Sequence, residues 1–234
     1  MIVTLDGPAG SGKSTTAGAV ADRLGFHHLE SGAFYRALTL AALDADIPPE
    51  RWPDLSASDF DRLGVRALPD ERGYRFFIDD DDATDRLRSK PVDEHVSLMA
   101  RVPAVRDWLL HRLRDAARGV DLVADGRDMG TVVFPDAELK FFLTASAETR
   151  ARRRLAQHGL HDPDPGRVAE ETRRLLDRDR IDSERDIAPL RRPDDAVVVD
   201  TTHLDFDQQV DRIVRLAREH GAGTRSHGGG PRPL

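Results

Sequence analysis

The hydrophobic and polar positions of this chain follow two alternating rhythms. Short apolar runs stand at residues 2–5 (IVTL), 27–30 (HHLE), 121–125 (DLVAD), 138–144 (ELKFFLT) and 196–200 (AVVVD), and each reads as a β-strand. Segments of helical period separate them. Residues 14–24 place Ala17, Val20, Ala21 and Leu24 on one face and stop at Gly25, and residues 33–43 carry Phe34, Leu38 and Ala41 as a stripe. Residues 58–63 read as a short helix after a loop punctuated by Pro48, Pro49 and Pro53. Residues 92–118 read as a long helix with a break at Pro103. Residues 147–157, 168–180 and 206–220 read as three further helices, the first strongly basic and the last amphipathic.

One stretch departs from this alternation. Residues 64–78 form two short β runs about a turn at 69–73, a hairpin that predicts a small antiparallel insert. The acidic run 79–82 (DDDD) reads as a solvated loop, 158–166 as another loop, and the Gly/Pro/Arg-rich residues 221–234 as a disordered tail. Strands alternating with helices predict an α/β fold with a parallel sheet flanked by helices. Ligands of such sheets sit beyond the carboxyl ends of the strands. The polar clusters of this chain follow Leu5, Leu29, Val123 and Leu143, which are those ends.

The first cluster is Gly7-Pro8-Ala9-Gly10-Ser11-Gly12-Lys13-Ser14, followed by Thr15, and it fits G-x-x-x-x-G-K-[ST] at every fixed position. Glycines let the backbone turn its N–H groups inward as an anion nest, and the dipole of the following helix adds partial positive charge. Lys13 is placed to reach the β- and γ-phosphates of a nucleotide and Ser14 to ligate Mg²⁺. A chance glycine turn is the alternative, but the preceding strand and the following helix both match a P-loop.

Composition sharpens this picture. The chain has 234 residues, a formal net charge of −7 and no cysteine, so it carries no disulfide or thiol nucleophile. Only Lys13, Lys90 and Lys140 are lysines and there is no asparagine, so a lysine inside the glycine loop stands out, whereas any single arginine reads first as surface charge. The acidic total and the lack of an aromatic-basic stripe argue against a nucleic-acid binder. No basic start leads into an apolar run, and no segment approaches the ~20 apolar residues that span a bilayer. The expectation is a cytoplasmic protein that engages neither nucleic acid nor membrane.

Three further clusters are candidates for handling a second anion. In residues 30–36 (ESGAFYR), Ser31 reads as a helix N-cap whose hydroxyl can also face an anion, with Arg36 a turn further on. In residues 125–131 (DGRDMGT), Arg127 can clamp a phosphate and Asp128 can accept from an amino group or a ribose hydroxyl, unless the two form an internal ion pair. On a helix through residues 178–185 (RDRIDSER), Arg178, Asp182 and Arg185 share one face, which also suits a surface salt-bridge ladder.

Read together, DGPAGSGKST, LESGAFYRAL, DGRDMGTVVFPDAELKFFLTAS and RDRIDSERDIAPL followed by DDAVVVDTT resemble the bacterial cytidylate kinases in order and spacing, from Ile2 to about residue 220. The resemblance implies a P-loop kinase core over residues 1–63 and 92–220 with a short lid at about 155–180. It also implies a small β-containing nucleoside monophosphate-binding insert at 64–91. The implied reaction moves the γ-phosphoryl group of ATP to CMP or dCMP with Mg²⁺, in a monomer. By the same resemblance, Ser31, Arg36 and Arg127 hold the CMP phosphate, and Ser97, Arg106 and Asp128 read cytosine. Arg178, Asp182 and Arg185 engage ribose and phosphates from the lid side, and Arg152, Arg153 and Arg154 lead into the lid, Arg154 on the ATP side. Lys13, Arg127 and Arg185 become the catalytic cations. Glu30 stands where the family usually has aspartate. A GTPase would need an Asn-Lys-x-Asp element that a chain without asparagine lacks. A kinase for UMP, shikimate or dephospho-CoA differs only around Asp128 and Arg106.

Overall fold

A computed structural model describes residues 1–70 and 73–222. The elements run β1 (Ile2–Asp6), α1 (Lys13–Leu24), β2 (His27–Glu30), α2 (Ser31–Asp44), α3 (Ala57–Arg62), β3 (Val65–Asp70), β4 (Gly73–Ile78) and β5 (Asp81–Asp82). They continue with α4 (Lys90–Met99), α5 (Pro103–Ala116), β6 (Leu122–Gly126), β7 (Leu139–Thr144), α6 (Ala147–Gln157), α7 (Pro165–Ser183), β8 (Val197–Asp200) and α8 (Phe206–Glu219). Two compact units divide the described residues: 1–26 with 123–222, and 27–70 with 73–122.

In the first unit the strands run in the order β6-β1-β7-β8. β1 pairs parallel with β7, Leu5 opposite Phe141, and β7 pairs parallel with β8, Leu143 opposite Val199. Parallel neighbours need helical crossovers, which accounts for the strand/helix alternation of the sequence. The period-2 geometry of β1 splits its residues between the two faces. Val3 and Leu5 enter a core with Phe141, Leu143, Val199 and the apolar faces of α1 and α8. Thr4 and Asp6 are also wholly buried, on the opposite face. α1 ends where Gly25 adopts the left-handed conformation (φ 70°) and donates its N–H to Ala21. α7 begins at Pro165, inside the stretch 158–166 read as a loop, because Asp164 caps it by accepting the Arg167 N–H at 3.0 Å and proline suits a first turn; Ser146 Oγ caps α6 by accepting the Thr149 N–H at 3.2 Å.

The second unit packs α2 against α4 and against a small antiparallel sheet of order β3-β4-β5. Phe34 of α2 meets Phe76 of β4 edge-on, ring centroids 4.9 Å apart. Trp52 is fully buried and donates Nε1–H to the Ile47 carbonyl at 3.0 Å.

Several local readings change. The acidic run is not all loop: Asp81 and Asp82 pair antiparallel with Ile78 and Phe77 as a third strand, and Arg75 of β4 forms an ion pair with Asp82. A partner strand and a cation outweigh the poor β propensity of aspartate. Residues 92–118 are two helices, because Val102 before Pro103 is extended and proline opens α5. Ser31 is the first helical residue of α2 and Glu30 its cap. Residues 129–133 close a wide i→i+5 turn, Phe134 N–H donating to the Met129 carbonyl at 2.7 Å. Arg185 lies two residues beyond the end of α7 rather than on the helix itself. The expected disordered tail falls largely on residues 223–234, outside the described residues, while Ala222 still bonds back to Ala217.

Candidate active site

β1 delivers the chain into the glycine loop, and two glycines there have no substitute. A Cβ on Gly7 would lie 2.2 Å from the Leu143 carbonyl oxygen of β7. Gly12 sits at φ 84° and turns the chain into α1, whose first residue is Lys13. Free amides therefore gather at the amino end of a twelve-residue helix, the physical basis of an anion site. Lys13 is buried and its Nζ folds back to the Pro8 carbonyl at 3.2 Å. Burial pushes its amine down to about 7, the Arg127 guanidinium adds to this, and Asp125 opposes it. A cation that is costly to keep charged is one that incoming phosphates would stabilise.

Ser14 and Asp125 meet beside the loop: the Ser14 hydroxyl donates to Asp125 Oδ2 at 2.5 Å. Asp125 is the last residue but one of β6 and Ser14 the second of α1, so a hydroxyl and a carboxylate are held together by two rigid elements. Asp6, the last residue of β1, accepts the Met129 N–H at 2.9 Å and the Gly130 N–H at 2.7 Å. It thereby satisfies two donors at the start of the wide turn and fixes the segment that carries Arg127 and Asp128. Burial pushes the Asp6 carboxyl up to about 7 although both amides pull it down.

Arg127, Asp182 and Arg185 form one cluster. Arg127 Nε lies 2.9 Å from Asp182 Oδ2, and Arg185 Nη1 lies 3.8 Å from Asp182 Oδ1. Arg185 is pinned further by bonds from Nε to the Asp182 carbonyl (3.2 Å) and from Nη2 to the Ala188 carbonyl (2.8 Å). Burial pushes Asp182 up, but the guanidiniums of Arg127, Arg178 and Arg185 together hold it below the usual carboxylate range. The surface-ladder alternative is thus excluded for Asp182 and Arg185, which are buried. Arg127 pairs with Asp182, and Asp128 is itself buried at 3 % exposure.

The three successive arginines of α6 separate. Arg152 pairs with Glu148 along the exposed side of α6, while Arg153 binds the Thr201 hydroxyl at 2.9 Å and carbonyl at 2.7 Å. Arg154 lies half-buried on the same helix.

Ser31, Arg36, Ser97 and Arg106 belong to the second unit. Ser31 is buried at the head of α2. Arg36, a turn further on, donates Nη1–H to Asp93 Oδ1 at 2.6 Å and to the Leu87 carbonyl at 3.1 Å. Arg106 donates to the Ala100 carbonyl at 3.2 Å and lies 5.7 Å from the ring centre of Tyr35. Ser97 is half-buried on α4.

Sequence reasoning passed over several partners: Asp125 as companion of Ser14, Asp6 as anchor of the turn, Asp93 and Tyr35 beside the two second-unit arginines. Asp125 carried a signal, an acid at the end of an apolar strand. Asp93 carried none, because its partner lies 57 residues away.

Comparison with known proteins is specific. The cytidylate kinase family model matches residues 3–219. A cytidylate kinase of Pseudomonas paraeruginosa is 44 % identical over 224 residues, covering 94 % of this chain and 96 % of the relative. A cytidylate kinase of an Exiguobacterium species is 43 % identical over 217 residues, covering 93 % and 96 %. A crystal structure of an uncharacterized Eubacterium ventriosum protein aligns with TM-score 0.50 at 11 % identity over 93 % of this chain and 98 % of that one, a likeness of fold alone. The match to the family over nearly the whole described length, with each glycine-loop position in its place, establishes that the chain belongs to the cytidylate kinase family.

Proposed function

We propose that this chain transfers the γ-phosphoryl group of ATP to CMP or dCMP, giving ADP and CDP or dCDP. Family membership makes it an ATP-dependent nucleotide kinase. The observation that supports the chemistry is a glycine loop running into the amino end of α1, with buried Lys13 and with Arg127 and Arg185 in the same unit.

Two polyanions must meet, so most of the barrier is charge repulsion and misalignment. We assign Gly7 to Thr15 to the donor, with amides and Lys13 on its phosphates and Arg154 on the ATP side. Mg²⁺ suits the donor set present: the Ser14 hydroxyl and Asp125 carboxylate are hard oxygens at hydrogen-bond distance from each other, the ligand chemistry this ion prefers alongside phosphate oxygens. When bound it supplies neutralising charge and a template for the phosphates. Arg127 and Arg185 stabilise charge on the transferring group, and Arg178 and Asp182 hold ribose and phosphate. We assign Ser31 and Arg36 to the acceptor phosphate, and Ser97, Arg106 and Asp128 to the base. The CMP phosphate is already a nucleophile, so no strong general base is required. Residues 155–180 act as a lid that excludes water, and 64–91 as the monophosphate-binding insert on a core of residues 1–63 and 92–220. We assign the chain to the cytoplasm as a monomer.

A coupled ADP-release assay with ATP and CMP, dCMP, UMP, AMP and GMP tests this reading. CMP and dCMP should turn over fastest. Preference for AMP or GMP, or no turnover with any acceptor, would refute it.

A further inference from the structure

The tip of the glycine loop is not held by the loop itself. Ala9 donates its N–H to Asp179 Oδ1 at 3.0 Å, and its carbonyl accepts from Arg150 Nη1 at 2.8 Å. The same Nη1 lies 2.5 Å from Asp179 Oδ2, and Arg150 Nε donates to the Ala145 carbonyl, just past β7, at 3.2 Å. One guanidinium therefore ties together the carboxyl end of β7, α7 and the loop. Both side chains are largely withdrawn from water, 6 % and 17 % exposed. Apolar contact reinforces the dock: Ala9 is buried in a cluster with Ala151, Leu155, Val168 and Leu175 of α6 and α7. At Gly10 a Cβ would lie 3.2 Å from Arg150 Cβ, so even a methyl group would crowd the dock.

We propose that Arg150 and Asp179 are positioning residues that set the two peptide planes flanking Ala9 and thereby register the donor phosphate loop against the arginines of α7. This rests on the kinase reading above. Asp179 is flanked by Arg178 and precedes Asp182 by three residues, so the helix that grips the loop also carries the groups assigned to the acceptor side. The Ala9 amide is committed to a carboxylate, so the phosphate cradle consists of the amides after it. Phosphoryl transfer depends on alignment of this kind, because a displacement of ~1 Å can cost ~10²-fold in rate.

The test uses Asp179→Ala, Asp179→Asn and Arg150→Lys in the full chain. Asparagine keeps an acceptor for the Ala9 N–H and lacks the ion pair. Lysine keeps the charge and lacks the fork that reaches three partners. We expect Asp179→Ala to lower kcat about 10²-fold, Asp179→Asn to recover at least about tenfold of that, and Arg150→Lys to fall between, with KM for CMP within about twofold of wild type throughout. Amide exchange at Ala9, followed by NMR, should be at least about tenfold faster in Asp179→Ala, as expected when a buried amide loses its acceptor. A kcat for Asp179→Ala within about threefold of wild type, an asparagine variant as poor as alanine, or unchanged exchange at Ala9 would overturn the proposal. Should the wild-type chain fail to phosphorylate CMP, the kinase reading falls, while the exchange measurement still decides this one.

Discussion

Replacing Asp182 by asparagine removes a negative charge from among buried guanidiniums while conserving shape. Asp182 is 4 % exposed and faces Arg127 at 2.9 Å and Arg185 at 3.8 Å. Stripping one partner from a buried pair typically costs about 3–5 kcal/mol, because the remaining charge stays desolvated and unpaired. Asparagine retains an acceptor for Arg127, which places the expected loss near the low end, about 3 kcal/mol. For a protein of this size that lowers the melting temperature by roughly 6–12 °C. Thermal denaturation at pH 7 measures it. The pH dependence has a definite sign. The arginines outweigh burial and hold the folded carboxyl below its ordinary value of 3.8, so its contribution is complete above about that pH and is lost as pH falls through the folded value. The gap between wild type and variant should therefore stay constant from about pH 5 to 8 and close only in stronger acid. Inorganic phosphate should restore the variant more than it stabilises wild type, by up to about 2.7 kcal/mol at a hundredfold excess over Kd, because guanidiniums freed of Asp182 are open to the anion. A loss below about 2 °C, or equal responses to phosphate, would refute this account of the cluster.

Further outcomes follow from the same geometry. Lys13→Ala should lower turnover with CMP at least about 10²-fold, and wild-type-like steady-state rates would remove Lys13 from the chemistry. The Lys13 amine sits near 7 when free, so nucleotide phosphates should draw a proton onto it near pH 8. Calorimetry in buffers of different ionisation enthalpy reads this uptake, and buffer-independent heats would count against it. The Asp6 carboxyl, raised to about 7, contributes stability below its ordinary 3.8 that is lost as pH rises through 7. Wild type should accordingly lose stability relative to Asp6→Asn between pH 4 and 7 in urea titrations, and parallel curves would contradict that. Asp128→Ala should raise KM for CMP at least about tenfold with little change for ATP, whereas equal losses would make Asp128 structural.

What local order encodes was legible along the chain. The glycine spacing, the strand before it and the helix after it located the phosphate loop. Gly25 marked the end of α1, where a cap is found. These signals rest on sterics and hydrogen bonds among residues a few positions apart. The pairings that give the site its charge balance are of another kind. Ser14 meets Asp125 across 111 positions, Gly130 meets Asp6 across 124 and Ala9 meets Asp179 across 170. In a chain with 35 lysines and arginines against 42 acids, each cation has many possible partners, and periodicity cannot choose among them. The choice is made when a parallel sheet sets β1 beside β6 and β7, and when burial then penalises every charge left without a counter-ion. Pairing with β4 likewise turned two exposed aspartates of an acidic run into an edge strand. The sequence by itself determined the elements and the anion loop; only tertiary structure decided which carboxylate holds which arginine, because desolvation is a property of the closed fold.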